Sequence, residues 1–213
     1  MQKILFISFV LISFSSLFST ASKNFNIDQS KLDAIENKFG SEGKHLVEEW
    51  DSMIESSKDE SILNKIKNVN DFFNQITYMS DSIHWRKQDY WATPFEFMGS
   101  GAGDCEDYAI AKYFSLIKLG VPDEKLRITY VTYKKSNSAF EEAHMVLTYY
   151  HKIGVEPVIL DNINKTLQVA SKRTDLKPVY SFNASGLWQA KTKGEARVGD
   201  NNLKSWKDLM ERF

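Results

Sequence analysis

Residues 99–109 read Gly99-Ser100-Gly101-Ala102-Gly103-Asp104-Cys105-Glu106-Asp107-Tyr108-Ala109. The glycines predict a flexible loop, and the run that follows repeats apolar residues at helical spacing. Gly120, with Pro122 after it, predicts where this helix ends. Asp104 suits the N-cap position and Asp107 follows as in a capping box, so we expect Cys105 in the first helical turn.

Cys105 is the only cysteine in the chain of 213 residues. A helix N-terminus lowers the pKa of a thiol, and its free N–H groups can bind a developing oxyanion. This position therefore favours a nucleophilic thiolate. The alternative is a buried free cysteine that packs as a small hydrophobic residue. The glycine loop and the helix start make the nucleophile the preferred interpretation.

The thiol is surrounded in sequence by the carboxylates of Asp104, Glu106 and Asp107. Negative charges so close should raise the pKa of the thiol and oppose its ionisation. Either these side chains point away and cap the helix, or a bound cation neutralises them. The spacing alone favours capping. A cluster of hard oxygen ligands would suit Ca²⁺.

The first 21 residues are typical of a secretory signal peptide. Lys3 gives a short basic start, an apolar stretch follows over residues 4–18, and residues 19–21 (Ser-Thr-Ala) fit a small-residue cleavage site. We therefore expect cleavage after Ala21, which leaves residues 22–213 as a single domain that does not span a membrane. In an exported chain, one leftover thiol is expected to be either buried or functional.

The charge balance argues against one class of partner. The chain has 27 basic and 28 acidic residues, and no basic stripe stands out along it. Nucleic acid is therefore not an expected partner, because its recognition requires a concentrated positive surface.

The order of the predicted elements indicates an α+β fold. Helical patterns run from about Ser30 to Ile83, and an aromatic-rich, irregular segment that contains Pro94 spans residues 84–98. After the cysteine helix the pattern changes to the alternation of β-strands, with strands predicted at 126–133, 144–150, 156–161 and, more weakly, at 167–169 and 179–183. The remaining predictions are polar connections at 134–143 and 191–200 and a terminal helix or tail at 203–213.

A hairpin between the second and third predicted strands brings a histidine to a carboxylate. A turn centred between Lys152 and Ile153 places His144 directly opposite Asp161, on the same face of the sheet. With Cys105, these residues would form a Cys-His-Asp triad, in which the aspartate orients the imidazole and the imidazole takes the thiol proton. The alternative is a surface histidine and a strand-ending turn, and the spacing does not decide between the two.

Four short motifs follow one another along the chain. They are residues 89–94 (Asp-Tyr-Trp-Ala-Thr-Pro), 103–107 (Gly-Asp-Cys-Glu-Asp), 143–147 (Ala-His-Met-Val-Leu) and 160–162 (Leu-Asp-Asn). Residues 180–183 and Trp188 extend the similarity, which covers roughly Val69 to Trp188. Together these motifs closely resemble the LapG family of bacterial transglutaminase-like cysteine proteinases. The combination is specific, whereas any one motif alone would be weak.

The resemblance implies a papain-like or transglutaminase-like α+β fold, with N-terminal helices and the cysteine helix packed on an antiparallel sheet. It implies a periplasmic endopeptidase that cuts a large surface adhesin near its N-terminus, at a dialanine-type site, and so promotes biofilm dispersal. It also implies calcium dependence. The implied inhibitor is an inner-membrane receptor of the LapD type, which sequesters the protease when cyclic-di-GMP is high.

Carried over motif by motif, the resemblance makes Cys105 the nucleophile, His144 the base and Asp161 the orienting carboxylate. The calcium-binding acidic residues of the family match Asp104, Glu106 and Asp107. With the resemblance, metal binding becomes the preferred role of these three residues, and a bound Ca²⁺ would offset the negative charge around the thiol. The polar segment 134–142, which borders the site, is long for this family.

Two other classes of function stay open at the level of sequence. A transglutaminase or amidase-type acyl transferase shares the triad but releases ammonia from glutamine, so incorporation of an amine would identify it. A non-catalytic, calcium-dependent binding module would carry an inert cysteine, and slow alkylation of Cys105 at neutral pH would identify that class.

Overall fold

The computed structural model describes residues 25–136, 138–152, 154–190 and 195–213. The predicted signal peptide, residues 1–21, lies outside this part of the chain. Helices make up the first half of the described residues and a sheet most of the second half, which confirms the predicted α+β class. Among the helices that the structure describes, none is both long and apolar enough to cross a membrane.

The described residues form six α-helices: α1 (Gln29–Ser57), α2 (Ile62–Phe73), α3 (Asp81–His84), α4 (Pro94–Ser100), α5 (Cys105–Lys118) and α6 (Lys204–Arg212). Side chains cap the first two, because Asp28 accepts a hydrogen bond from the Lys31 N–H (2.9 Å) and Ser61 accepts one from the Asn64 N–H (3.3 Å). The predicted break at Gly40 is a kink inside α1, where the glycine takes a φ of 82°. The predicted terminal helix is confirmed as α6.

Helix α4 begins inside the segment, residues 84–98, that the sequence predicts to be irregular. Its first residue is Pro94, which is tolerated there because the N–H of that position has no partner within a helix. Thr93 and Glu96 complete a capping box, with hydrogen bonds of 3.1 and 3.0 Å to each other's backbone N–H. The prediction for residues 94–98 is therefore wrong, because proline starts a helix as well as interrupting one.

The strands form two sheets. A short parallel pair joins β1 (Thr77–Tyr78) to β2 (Ala102–Gly103), just before the cysteine helix. The main sheet has seven antiparallel strands in the order β6-β5-β4-β3-β7-β8-β9. Its strands are β3 (Leu126–Lys134), β4 (Glu141–Tyr149), β5 (Val158–Leu160), β6 (Gln168–Val169), β7 (Leu176–Asn183), β8 (Gly186–Ala190) and β9 (Glu195–Gly199).

All five predicted strands are confirmed, but two predicted connections are shorter than expected. Strand β4 begins at Glu141, which pairs with Lys134, so the polar connection between β3 and β4 covers only residues 135–140. The polar segment 191–200 contains strand β9, which pairs with β8 at the edge of the sheet. The first three residues of β4 and the whole of β9 were missed because an exposed strand carries polar residues on its solvent face and lacks a strong apolar signal.

Helix α5 lies between the sheet and the N-terminal helices. One face packs on β3 and β4, and the other packs on α2 and α4. The side chains of Ile110, Tyr113 and Leu116 are fully buried within one continuous core. Trp50 of α1 is also fully buried, and its indole N–H donates to the Ser115 hydroxyl at 2.9 Å. The cysteine helix is therefore held on both sides by buried contacts.

Helices α1 and α4 approach each other closely at Gly43. A Cβ atom added at this position would overlap the carbonyl oxygen of Gly99 and lie 3.0 Å from its carbonyl carbon. Because these neighbours are backbone atoms in a buried contact, neither can move aside without displacing a helix. Glycine at residue 43 thus sets the distance between the two helices.

We predict that Gly43→Ala lowers the free energy of unfolding by about 1–3 kcal/mol, the usual cost of overpacking a close contact. Glu42→Ala, one residue away on the exposed side of α1, is the matched control and should change stability by less than about 0.5 kcal/mol. Urea unfolding followed by tryptophan fluorescence measures both. Equal stability of the two variants would show that α1 and α4 do not approach at this point.

Candidate active site

The N-terminus of α5 carries the cysteine, as the sequence predicts. Asp104 is the N-cap residue and Cys105 is the first helical residue. The Asp107 carboxylate accepts hydrogen bonds from the backbone N–H of Asp104 at 3.3 Å and of Ala92 at 2.8 Å. Asp107 therefore fixes both the start of the helix and the approach of the preceding segment.

The thiol of Cys105 faces strand β4. Its sulfur lies near the backbone of Met145, and the S–H donates to the Glu106 carboxylate at 3.0 Å. Burial, followed by the charge of Glu106 and its hydrogen bond, raises the pKa of the thiol well above its usual value. The structure thus reproduces the electrostatic problem that the sequence raises, because the carboxylates of Glu106 and Asp104 add to burial in raising the pKa of the thiol.

His144 and Asp161 are in contact. The His144 Nε2 and Asp161 Oδ1 atoms lie 2.8 Å apart, and both residues are buried. The predicted register is wrong by two positions, because Leu160 pairs with Leu147 and an eight-residue connection, rather than a tight turn, joins β4 to β5. A shift of two residues keeps the side chains on the same face of the sheet, so the predicted contact survives.

The buried Asp161 carboxylate accepts two hydrogen bonds besides the one that joins it to His144. Oδ1 also accepts from the backbone N–H of Ile163 at 2.9 Å, and Oδ2 accepts from Arg173 at 2.7 Å. Burial alone would raise the pKa of Asp161, but the hydrogen bonds from His144, Ile163 and Arg173 hold it well below the usual range. Because an ionised carboxylate only accepts, Nε2 of His144 carries a hydrogen and Nδ1 is the ring nitrogen free to take a proton.

A cluster of carboxylates surrounds the start of α5. The three acidic residues of the sequence prediction, Asp104, Glu106 and Asp107, are joined there by Asp81 and Asp89. Side-chain oxygens of Asp81, Asp104 and Asp107 lie within 4.8 Å of one another, and so do those of Asp81, Asp89 and Glu106. Sequence reasoning missed Asp81 and Asp89 because they precede the cysteine by more than a dozen residues and match no spacing of known ligands.

These carboxylates are short of hydrogen-bond donors. Within the described part of the chain, the buried oxygens Asp81 Oδ1 and Asp104 Oδ1 have no hydrogen-bond partner. Burial and the neighbouring carboxylates raise the pKa of Asp81 to about 6 and that of Glu106 to about 9. Two oxygens that share one Ca²⁺ at about 2.4 Å lie no more than about 5 Å apart, so these separations fit a common calcium ion. The donor set is therefore one that a hard cation suits.

Comparison with known proteins assigns the chain to a family. A family model described as bacterial transglutaminase-like cysteine proteinase BTLCP matches residues 41–195. Solved structures of Legionella pneumophila LapG are 42% identical in sequence and cover 87% of this chain.

The chain belongs to the bacterial transglutaminase-like cysteine proteinases.

The likeness of this proteinase to Legionella LapG spans nearly the whole of each solved structure. The EGTA-treated form is covered over 97% of its length with a TM-score of 0.75. A further LapG structure is covered over 96% of its length with a TM-score of 0.74. The calcium-bound form is covered over 99% with a TM-score of 0.73. None of the curated proteins matches the chain. The fold that the motifs imply is confirmed by these matches.

A buried lysine of the proteinase was also missed by the sequence analysis. Lys112 lies on α5, fully buried, and its ammonium group donates to Asn70 Oδ1 (3.0 Å), Asn74 Oδ1 (2.8 Å) and the backbone carbonyl of Asp161 (3.2 Å). Burial lowers the pKa of Lys112 to about 7. Its position within an apolar helical run gave no signal, because lysine is common on the exposed side of helices.

We predict that Glu106→Gln becomes increasingly more stable than the wild-type proteinase as the pH rises in the presence of EGTA. The pKa of Glu106 is raised from 4.5 to about 9, so the folded state binds this proton more tightly than the unfolded chain. That contribution to stability is fully present below pH 4.5 and is lost as the pH rises through about 9. Glutamine keeps a neutral side chain at every pH.

The measurement is the difference in melting temperature between variant and wild type at about pH 5.5 and about pH 8.5. Comparison at equal pH removes the opposite contribution of Lys112, whose lowered pKa makes it favour the folded state as the pH rises. Glu48→Gln on the exposed face of α1 is the control. A difference that stays constant with pH would contradict the raised pKa of Glu106.

Proposed function

We propose that this proteinase is a calcium-dependent endopeptidase with a catalytic triad of Cys105, His144 and Asp161. The observation that carries the proposal is the packing of the helix that begins at Cys105 on strand β4, which carries His144. The ring of His144 is in turn held by Asp161 at 2.8 Å. Membership of a cysteine proteinase family gives this arrangement its chemical meaning.

In the proposed reaction the Cys105 thiol loses its proton to His144 Nδ1, and the sulfur attacks the carbonyl carbon of the scissile peptide bond. The backbone N–H of Cys105, unpaired at the helix start, is a donor for the oxyanion that forms. His144 then gives the proton to the leaving amine as the C–N bond breaks. In the second half it takes a proton from water, whose oxygen attacks the acyl group and releases the thiolate. Asp161 keeps the ring in one orientation and tautomer throughout.

Calcium is proposed to bind the carboxylate cluster. Asp104, Glu106 and Asp107 would hold it, and Asp81 and Asp89 lie close enough to contribute oxygens. When bound, the ion would supply positive charge that offsets the carboxylates which, after burial, raise the pKa of the thiol. The unpartnered oxygens of Asp81 and Asp104 and the calcium-bound form of Legionella LapG support this assignment.

The proposed substrate is a large surface adhesin, cut near its N-terminus at a dialanine-type site, and the proposed consequence is release of the adhesin and biofilm dispersal. The proposed location is the periplasm, reached through the signal peptide of residues 1–21. The proposed inhibitor is an inner-membrane LapD-type receptor that responds to cyclic-di-GMP. These proposals rest on the likeness to LapG and on the motifs that the chain shares with its family.

We predict that residues 22–213 cleave an N-terminal fragment of an adhesin from the same cell in the presence of Ca²⁺, and that neither EGTA-treated protein nor Cys105→Ala does so. Asp161→Asn should lower the rate by about 100-fold or more, because a neutral amide no longer stabilises the imidazolium that forms and no longer fixes one tautomer of the ring. The readout is the appearance of a single shortened fragment on a gel, with its new terminus sequenced.

Asp123→Asn is the matched control for Asp161→Asn. Asp123 is also buried, and it accepts a hydrogen bond from the Ser185 hydroxyl at 2.8 Å, away from the triad. Its variant should lose stability but keep the cleavage rate per folded molecule.

Cleavage by Cys105→Ala would refute the role of Cys105 as nucleophile. Incorporation of a fluorescent amine in place of cleavage would identify an acyl transferase.

We predict that Asp81→Asn weakens the affinity for Ca²⁺ by about tenfold or more, because one charged oxygen ligand becomes a neutral one. The amide oxygen still accepts the backbone hydrogen bond from Tyr90 that the carboxylate accepts, so the local fold should persist. Asp59→Asn, in the exposed connection between α1 and α2, is the control. Titration calorimetry on chelator-treated protein gives both affinities, and an unchanged value would remove Asp81 from the ligand set.

A further inference from the structure

The Asp161 carboxylate depends on one arginine for its second oxygen. Oδ1 accepts from His144 and from the backbone of Ile163, whereas Oδ2 accepts from Arg173 Nη2 at 2.7 Å. Within the described residues, Arg173 is the one group that donates to Oδ2. The side chains of Asp161 and Arg173 are 0% and 1% exposed, so water does not replace this bond.

Arg173 is itself held in place from the other side. Its Nε and Nη2 atoms donate to the two oxygens of Asp175 at 2.9 and 2.7 Å, in the side-on geometry that fixes the guanidinium plane. The backbone carbonyl of Asp175 accepts from the Lys134 N–H at 2.8 Å, which ties this pair to the end of β3. Nη2 therefore bridges two carboxylates, one anchored in the sheet and one beside His144.

The position of Arg173 in the chain explains why it reaches Asp161. It follows the short 3₁₀ turn Ala170–Lys172, between β6 and β7, and its backbone N–H donates to the Ala170 carbonyl at 3.0 Å. Asp161 directly follows β5, the neighbour of β6 in the sheet. The guanidinium thus spans from one connection of the sheet to another at the point where the triad is completed.

We propose that Arg173 is a positioning residue of this proteinase, which fixes the plane of the Asp161 carboxylate and through it the ring of His144. The inference rests on the triad proposed above and deepens it. Arg173 does not touch the substrate or the reacting atoms. Without it, Oδ2 would be a buried oxygen with no donor, and the carboxylates of Asp161 and Asp175 would face each other without the charge that now separates them.

Arg127 is a matched control because it is a second buried arginine in the same sheet. It belongs to β3, is 8% exposed, and pairs with Glu195 instead of with a triad residue. Arg127 and Arg173 line the same cavity of about 640 Å³. Removing either charge should disturb the fold to a similar extent, so only an effect through Asp161 distinguishes them.

The test compares Arg173→Gln and Arg127→Gln, each alone and combined with Asp161→Asn, as calcium-loaded protein acting on the adhesin fragment. We expect Arg173→Gln to lower kcat by about 10- to 100-fold with KM changed less than about threefold, and to have almost no further effect in the Asp161→Asn background. Arg127→Gln should change kcat by the same small factor in both backgrounds. Arg173→Lys, which keeps the charge but cannot bridge both carboxylates, should recover part of the rate. A loss from Arg173→Gln that is equal in both backgrounds would overturn the proposal.

A second readout does not require a substrate. The proton on His144 Nε2, followed by NMR in histidine labelled with ¹⁵N, reports its hydrogen bond to Asp161. We expect this signal to shift or broaden in Arg173→Gln and to stay unchanged in Arg127→Gln. If the wild-type protein fails to cleave, the proposed function fails, and this signal still decides the role of Arg173. An unchanged signal in Arg173→Gln would overturn that role even in an active protease.

Discussion

The contact between the start of α5 and strand β4 organises the site. The helix brings the thiol of Cys105 and the strand brings His144, and the two elements pack directly on each other. Neither element could be placed alone, because the helix is buried between the sheet and the N-terminal helices and the strand lies inside the sheet. The chemistry of the site is therefore a product of how the whole domain packs.

Negative charges repel one another at the start of α5. A helix N-terminus favours negative charge, and the chain gathers five carboxylates there. The favourable end of one helix does not compensate for so many carboxylates, and burial together with their mutual repulsion raises the pKa values of Asp81 and Glu106. A domain that needed only stability would replace some of these residues with neutral ones, so their presence together is better explained by binding of a cation than by helix capping. Asp107 also acts as a capping residue, since its carboxylate accepts hydrogen bonds from two backbone N–H groups.

Much of this arrangement could be predicted from the sequence. The cysteine helix follows from local signals, namely the glycine loop, the N-cap residue and the apolar periodicity. The pairing of His144 with Asp161 was predicted for an imperfect reason, since the register was wrong by two and only the two-residue period of a strand preserved the contact. Asp81, Lys112 and Arg173 could not be predicted, because each reaches the site through tertiary packing and none belongs to a motif. Helix α4 could not be predicted either, because a proline can start a helix or interrupt one. The capping box of Thr93 shows that Pro94 starts this helix.

Lys112 connects the helix that carries Cys105 to the backbone of Asp161. It lies two turns beyond Cys105 on the same helix, about 10 Å along its axis, and its ammonium group holds the backbone carbonyl of Asp161. A small slide or tilt of α5 would therefore carry the segment that bears the aspartate along with the nucleophile. Cys105 and the backbone of Asp161, the two ends of the proposed triad, are therefore both anchored to a single helix.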